Sequence, residues 1–177
     1  MKPSLTSRQS GVTLIEMMIA IVILGISIAL ALPSYRTWIQ NTHIRNAAES
    51  ILNGMQRARA EAVSRNTSVS FVLGGAALWT VTDIASGQEI EARQGADISA
   101  NVTITTTPAN STTITLNNLG NVIANADASA SITQVDIDSS MLAEAESREL
   151  RITVGTGGIV RMCDPNPGVA TTDPRHC

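Results

Sequence analysis

The sequence predicts an α+β chain: one long N-terminal helix followed by a β-rich head of antiparallel sheets. Three observations carry that prediction. Val12 to Leu32 is almost wholly apolar and long enough to cross a bilayer as a helix. Beyond Asn41, apolar residues recur at spacings of three and four as far as Ala62. From Ser68 the period switches to two and β-branched residues dominate.

The apolar run lies within Gly11 to Pro33, GVTLIEMMIAIVILGISIALALP, and Glu16 is its one charge. Ahead of it stands a polar leader, MKPSLTSRQSG, with Lys2 and Arg8 and no acid. A carboxylate inside a span costs about 2.5–3.5 kcal/mol on insertion scales and less near an interface. Such a residue implies a role and a partner. Lys2, Arg8 and the initiator amine favour a cytoplasmic leader. Arg36 and Arg45 beyond the span weaken that asymmetry. On residues alone two other readings stay open. Ala29-Leu30-Ala31 offers the A-x-A cleavage site of a secretory signal peptide. A plain single-pass anchor needs only the apolar length. Against the signal peptide stand Glu16 inside the apolar region and a helical pattern that continues past Pro33.

Pro33 lacks an N–H and is expected to kink or locally loosen the helix. Tyr35 and Trp38 follow, where an aromatic belt belongs at a membrane interface. Ile44, Ala48, Ile51, Met55, Ala58 and Ala62 then define one apolar face, the signature of packing against a core. Arg45, Glu49, Asn53, Gln56 and Arg59 occupy the opposite side, and His43 falls on the polar side. The helix is expected to end near Arg65-Asn66, with a basic last turn and Asn available as a cap.

Strands follow in order. Ser68–Leu73 alternates, Gly74-Gly75 reads as a turn, and Leu78–Thr82 as the returning strand. Glu89–Arg93 offers a third. Val102–Thr106 and Thr112–Leu116 alternate between apolar residues and threonine. Val135–Asp138, Glu149–Val154 and Gly158–Met162 complete the set. Such alternation suits antiparallel sheets with one buried face. Residues 117–131, rich in Asn, Ala, Ser and Gly, read as a loop; 139–147 hold a short helical turn or a loop.

Composition excludes several function classes. The chain has 177 residues and room for one globular domain beyond the apolar run. Its aromatics are Tyr35, Trp38, Phe71 and Trp79, so a core must be built from Val, Ile, Leu and Ala. The net charge is −3, and −5 without Lys2 and Arg8, which argues against a broad nucleic-acid surface. No phosphate-binding glycine loop, His-rich motif or G-x-S-x-G occurs, and His43 and His176 are the only histidines. No catalytic residues, cofactor or metal site are therefore assigned.

The N-terminal pattern, G-x-T-L-I-E followed by an apolar run, resembles that of type IV pilins and type II secretion pseudopilins. Arg57-Ala-Arg-Ala-Glu-Ala-Val-Ser-Arg-Asn66 before a Val-rich strand is similar to the helix-to-sheet junction of the FimT/GspH-type family. So are Trp79, Leu116-Asn-Asn-Leu-Gly120 and Gly157-Gly-Ile-Val-Arg-Met-Cys163, in the family's order. The one departure at the N-terminus is Val12, where the family usually has Phe. The resemblance implies cleavage after Gly11 by a prepilin peptidase, N-methylation of Val12, and an assembly role for Glu16 and Pro33. It implies a leader at 1–11, a transmembrane assembly helix at 12–33 and an amphipathic helix at 34–66. A β head at 67–163 and a tail at 164–177 would follow. The implied protein is a minor pilin of a type IV pilus, or alternatively a minor pseudopilin of type II secretion. Its partners would be other pilins or pseudopilins, through the N-terminal helix. It would sit in the inner membrane with a periplasmic head.

Cys163 and Cys177 are the only cysteines. An exported domain meets an oxidising periplasm, where such a pair tends to bridge. Closing a loop of about 15 residues contributes about 3 kcal/mol in the chain-entropy model. Two free thiols are the alternative; zinc lacks ligands, because Cys163, His176 and Cys177 are too few. Arg161, Arg175 and His176 would cluster near the bridge. Some members of the resembled family bind DNA for transformation through a Gly-Arg-x-Arg motif. Here the matching run is Gly158-Ile159-Val160-Arg161, with Ile at the first Arg position. DNA binding through Arg161, Arg175 and His176 is thus a third expectation, alongside a tail that merely caps the sheet.

Overall fold

The computed structural model describes residues 11–94 and 101–177. The leader positions 1–10, with Lys2 and Arg8, lie outside the described residues. Two compact units are present, residues 1–36 and 37–177.

One helix, α1 (Leu14–Arg65), contributes to both units. It runs through Pro33 as a single helix. Proline there removes the N–H that would bond the Ala29 carbonyl, but the flanking turns keep the α conformation. In the first unit every residue from Gly11 to Arg36 is exposed. In the second unit α1 buries the stripe read from the sequence: Ile44, Ala48, Ile51, Met55, Ala58 and Ala62 are each at most 1% exposed. Ala47, Ser50 and Gly54 are buried beside it. The helix ends at Arg65 because Asn66 turns left-handed, with φ 52°. The Thr67 N–H then bonds the Ala62 carbonyl at 3.2 Å, and Asn118 Nδ2 donates to Asn66 Oδ1 at 2.9 Å.

Among the described residues nine strands follow: β1 Val69–Leu73, β2 Trp79–Asp83, β3 Glu89–Arg93, β4 Val102–Thr107, β5 Thr113–Leu116, β6 Val122–Ile123, β7 Gln134–Ser139, β8 Leu150–Val154 and β9 Val160–Cys163. They form two antiparallel sheets, of order β3-β2-β1-β5-β6 and β4-β7-β8-β9. The sequence-adjacent strands β4 and β5 therefore lie in different sheets. Alternation places Val69, Phe71 and Leu73 of β1, Trp79 and Val81 of β2, and Val135 and Ile137 of β7 in one core with the α1 stripe. Each alternate residue faces outward, as a sheet with one wet face requires.

Two local features differ from the sequence reading, and a third decides between its alternatives. The Gly74-Gly75 turn extends into a 3-10 turn at Gly75–Ala77, so β2 begins at Trp79. Residues 117–131 contain β6 and a polar knot around buried Asn125. That side chain accepts from Thr115 Oγ1 at 3.0 Å and donates to the Thr113 carbonyl and to Ser129. Four hydrogen bonds let a polar group remain buried without penalty. Of the two alternatives for 139–147, the loop is what forms: Ser139 ends β7 and residues 140–149 are turns and irregular backbone. Asn41 of α1 clamps them, donating to the Glu146 carbonyl at 3.0 Å and accepting the Arg148 N–H at 2.8 Å.

The tightest helix-to-sheet contact lies at Gly54. A Cβ there would meet Trp79 ring carbons at 2.7 Å and Phe71 at 2.8 Å. The Trp79 indole N–H donates to Ser50 Oγ at 3.0 Å, one turn earlier. Glycine is thus required by contact, although it is a poor helix residue. Gly54→Ala is expected to destabilise the protein by about 1–3 kcal/mol through overpacking. Denaturant unfolding of the detergent-solubilised chain, followed by tryptophan fluorescence, checks this; an unchanged midpoint would contradict the contact.

Candidate functional site

Two regions hold the residues singled out by the sequence, the start of α1 and the stapled tail. At the start, Thr13 caps the helix. Its hydroxyl accepts the Glu16 N–H at 3.3 Å, and its carbonyl accepts the Met17 N–H at 3.2 Å. Thr13-x-x-Glu16 has capping-box spacing, a signal legible in the sequence alongside the charge itself. Glu16 also lies in the first turn, where the helix dipole favours an anion. Val12 is 66% exposed, and the Glu16 side chain is exposed with it. Farther on, the Ser27 hydroxyl donates to the Ile23 carbonyl at 2.8 Å. A polar side chain satisfied within its own helix suits an apolar surrounding.

The tail is tied down by covalent and polar contacts. Cys163, the last residue of β9, forms a disulfide with Cys177, their Cα atoms 5.1 Å apart. Asp164 extends β9 and pairs with His176: its N–H bonds the Arg175 carbonyl at 2.6 Å, and its carbonyl accepts the Cys177 N–H at 3.3 Å. Arg161 reaches across from β9. Its guanidinium donates to the carbonyls of Pro174 at 2.9 Å and His176 at 3.1 Å. Arg175 is 74% exposed and pairs in a fork with Asp173, through Nη2 at 2.8 Å and Nε at 3.1 Å. That pair, with the Arg175 backbone N–H, lowers the Asp173 carboxyl from 3.8 to about 2.

Arg161, Arg175 and His176 are therefore brought together, as the sequence suggested, but the two arginines already have partners. The adjacent outward face of the β4–β9 sheet is acidic. Asp136 pairs with Arg151 at 2.5 Å, Asp138 accepts the Ser147 hydroxyl, and Glu149 is pushed up by burial and by Asp138 and Asp136. Among the described residues, no group of three His, Cys, Asp or Glu side chains is placed to hold a metal ion.

A third feature was not visible in sequence. The exposed side of α1 and two turns enclose an open groove of about 670 Å³, lined by Arg59, Ala60, Val63, Leu119, Gly158 and Ile159 among others. Two left-handed glycines build it. A Cβ on Gly158 (φ 69°) would fall 1.9 Å from the Gly120 carbonyl oxygen; one on Gly120 (φ 77°) would fall 2.9 Å from Arg59 Nε. Arg59 Nε donates to that same Gly120 carbonyl at 3.2 Å. The sequence signal was the pair of Gly-containing turns; their meeting depends on the tertiary fold.

The comparisons with known proteins agree with this geometry. Residues 47–158 match the family model described as type II transport protein GspH, over more than half of the chain. Residues 6–32 match the prokaryotic N-terminal methylation motif. In fold, the chain is similar to a crystal structure of the Pseudomonas aeruginosa type IV minor pilin FimU. The TM-score is 0.53 at 16% identity, covering 71% of this chain and 91% of that one. A second crystal form of FimU gives 0.48 at 17% identity, covering 67% and 90%.

Two outcomes follow from the tail geometry. Arg161→Gln removes the guanidinium contacts, so amide exchange at Asp164 and Cys177 should accelerate at least several-fold while the disulfide persists. Unchanged exchange would show that the bridge alone holds the tail. Second, a carboxyl whose pKa is lowered on folding stabilises above its unfolded value and loses that effect as pH falls through its folded one. The Asp173–Arg175 pair should thus be intact at pH 5 and open as pH approaches about 2. Carboxyl NMR of Asp173 tests this, with Arg175→Gln returning its titration toward 3.8.

Proposed function

Since the chain belongs to the type II transport protein GspH family and carries the N-terminal methylation motif, we propose that this minor pilin or pseudopilin is a minor pilin of a type IV pilus. It is made with a leader of residues 1–11, cut after Gly11 by a prepilin peptidase and N-methylated at Val12. It is held in the inner membrane by residues 12–33, with its head in the periplasm, until it joins a fibre.

The observation that carries this reading is the apolar helix segment. Every residue from Val12 to Leu32 is exposed within the chain, Leu14 at 79% and Leu30 at 77%. In water that surface would drive aggregation; a bilayer or the helices of neighbouring subunits cover it. Glu16 is the one charge on it. Pairing with the Val12 amine of an adjacent subunit offsets the cost of a buried carboxylate. The stapled, individual tail favours the pilus over the type II secretion machine.

Reception of DNA is the weaker reading. Arg161 is engaged with tail carbonyls, Arg175 with Asp173, and Ile159 occupies the first basic position of the motif. Two such cations beside an acidic sheet face would support only weak, salt-sensitive contacts.

Sequencing the mature N-terminus tests the processing. A start at Val12 is expected, and a start at Leu32 would mark a signal peptide instead. Glu16→Ala should leave membrane insertion intact and reduce incorporation into fibres at least tenfold. Deleting the gene should impair twitching motility and spare exoprotein release. The reverse pattern would assign the chain to type II secretion.

A further inference from the structure

Among the described residues of 37–177, the most exposed apolar side chains without a ring gather in two places. Leu119 at 70%, Ile159 at 68% and Val63 at 51% line the groove, and Met141 at 66% stands on the turn that follows β7. Each place also carries charge of one sign left unmatched.

The groove is cationic. Arg45, Arg57 and Arg65 of α1 each pair with a glutamate, at 2.8, 2.9 and 2.5 Å. Arg59, half-buried in the groove, pairs with no carboxylate among the described residues. Its Nε serves the Gly120 carbonyl at 3.2 Å, which leaves both Nη groups for an acceptor from outside. No carboxylate lines the groove. The Gly158–Gly120 contact and the Arg59 hydrogen bond fix the two turns, so the surface is preformed.

The turn is the complement. In Met141-Leu-Ala-Glu-Ala-Glu146 every residue but Leu142 is exposed. Glu144 and Glu146 have no ion pair among the described residues, and burial together with Asp138, Asp136 and Glu144 raises the neighbouring Glu149 carboxyl against the pull of Arg151, so the field there is negative. The Glu146 and Ser147 N–H groups both bond the Ala143 carbonyl, at 2.8 and 3.0 Å, and Asn41 holds the Glu146 carbonyl. The turn is therefore as fixed as the groove. Met141 adds an unbranched, adaptable side chain suited to an irregular apolar surface.

The two surfaces belong to one compact unit, yet they do not meet within one molecule. Asn41, which holds the turn, and Arg59, which lines the groove, lie about 27 Å apart along α1 at about 1.5 Å per residue. A clamped turn does not cross that distance to its own groove, so the partner is another molecule.

We infer that the groove of Arg59, Leu119 and Ile159 docks the acidic turn 141–146 of a second copy of this chain. Met141 lies on the aliphatic surface, and Glu144 and Glu146 supply the carboxylates for Arg59. Two different patches make the contact, so it is heterologous and repeats from head to head in one direction. The inference goes beyond the reading above and holds for a pilus or a secretion machine alike.

The test uses the full-length chain, in detergent and in its own membrane. A photo-crosslinking benzoyl-phenylalanine replaces Ile159 in one preparation; a second, isotope-labelled preparation carries no crosslinker. The two are mixed in detergent and irradiated, and the crosslinking chain is also irradiated in its own membrane. The expected adduct joins position 159 to residues 141–146, and in the mixture it joins an unlabelled to a labelled peptide. Glu144→Arg with Glu146→Arg in the labelled copy should lower its yield about fivefold, and added salt should lower it too. An adduct only to another segment, only to a different protein, or none in either setting overturns the proposal. So does a yield that both glutamate replacements leave unchanged. If the double variant unfolds, the position of the wild-type adduct decides alone. Processing at Val12 is read separately by N-terminal sequencing, so failure of the head contact leaves the reading as a processed pilin standing, and a mature start at Leu32 removes that reading without touching the contact.

Discussion

One helix faces two solvents, and that constraint organises the chain. α1 is apolar on every side as far as Leu32 and apolar on one side only from Ile44. The first pattern calls for lipid or other helices, because none of the described residues covers it. The second is satisfied internally, by a core of aliphatic residues from two sheets with Phe71 and Trp79 at the closest contact. The all-round apolar segment needs a cover from outside the described residues, and the half-apolar segment finds its cover in the head.

The head meets its helix by removing side chains as much as by adding them. Gly54 and the small residues Ala47, Ala48, Ala58 and Ala62 bring the α1 backbone close to the strands. A chain with four aromatic residues has few large side chains with which to fill a gap. Close approach replaces bulk in a core built mainly from Val, Ile and Ala. Polar groups caught in that closeness are paired: Trp79 with Ser50, and Asn125 with Thr115 and Ser129.

The tail shows how a basic residue can serve structure. Arg161 lies on β9, exposed and cationic, in the position a nucleic-acid reading would want. Its guanidinium instead satisfies two carbonyls of a segment that pairs with the β9 side at the single Asp164–His176 bridge. Those carbonyls come from residues near the disulfide, so the bridge and the arginine hold the same short stretch. Arg175, nearer the end, is matched by Asp173 two residues before it. The result is a compact terminus whose charges are mostly balanced locally.

Much of this was legible in the residues themselves. Periodicity alone marked the apolar helix, the stripe from Ile44 to Ala62 and most strands, because burial of one face imposes a repeat of 3.6 or 2 on the sequence. The pattern G-x-T-L-I-E drew attention to Gly11, Val12 and Glu16, and two cysteines in a chain read as exported marked a pairing. Strand order was not legible. β4 and β5 alternate alike and are neighbours in sequence, yet they enter different sheets; alternation shows which face is buried, not which strand lies alongside. The roles of Arg161, Asn41 and Asn125 were equally hidden, since each bonds groups 10 or more residues away. The groove was hidden for the same reason. Leu119, Ile159 and Val63 are ordinary surface aliphatics in sequence, and only the meeting of two glycine turns with α1 makes them one surface.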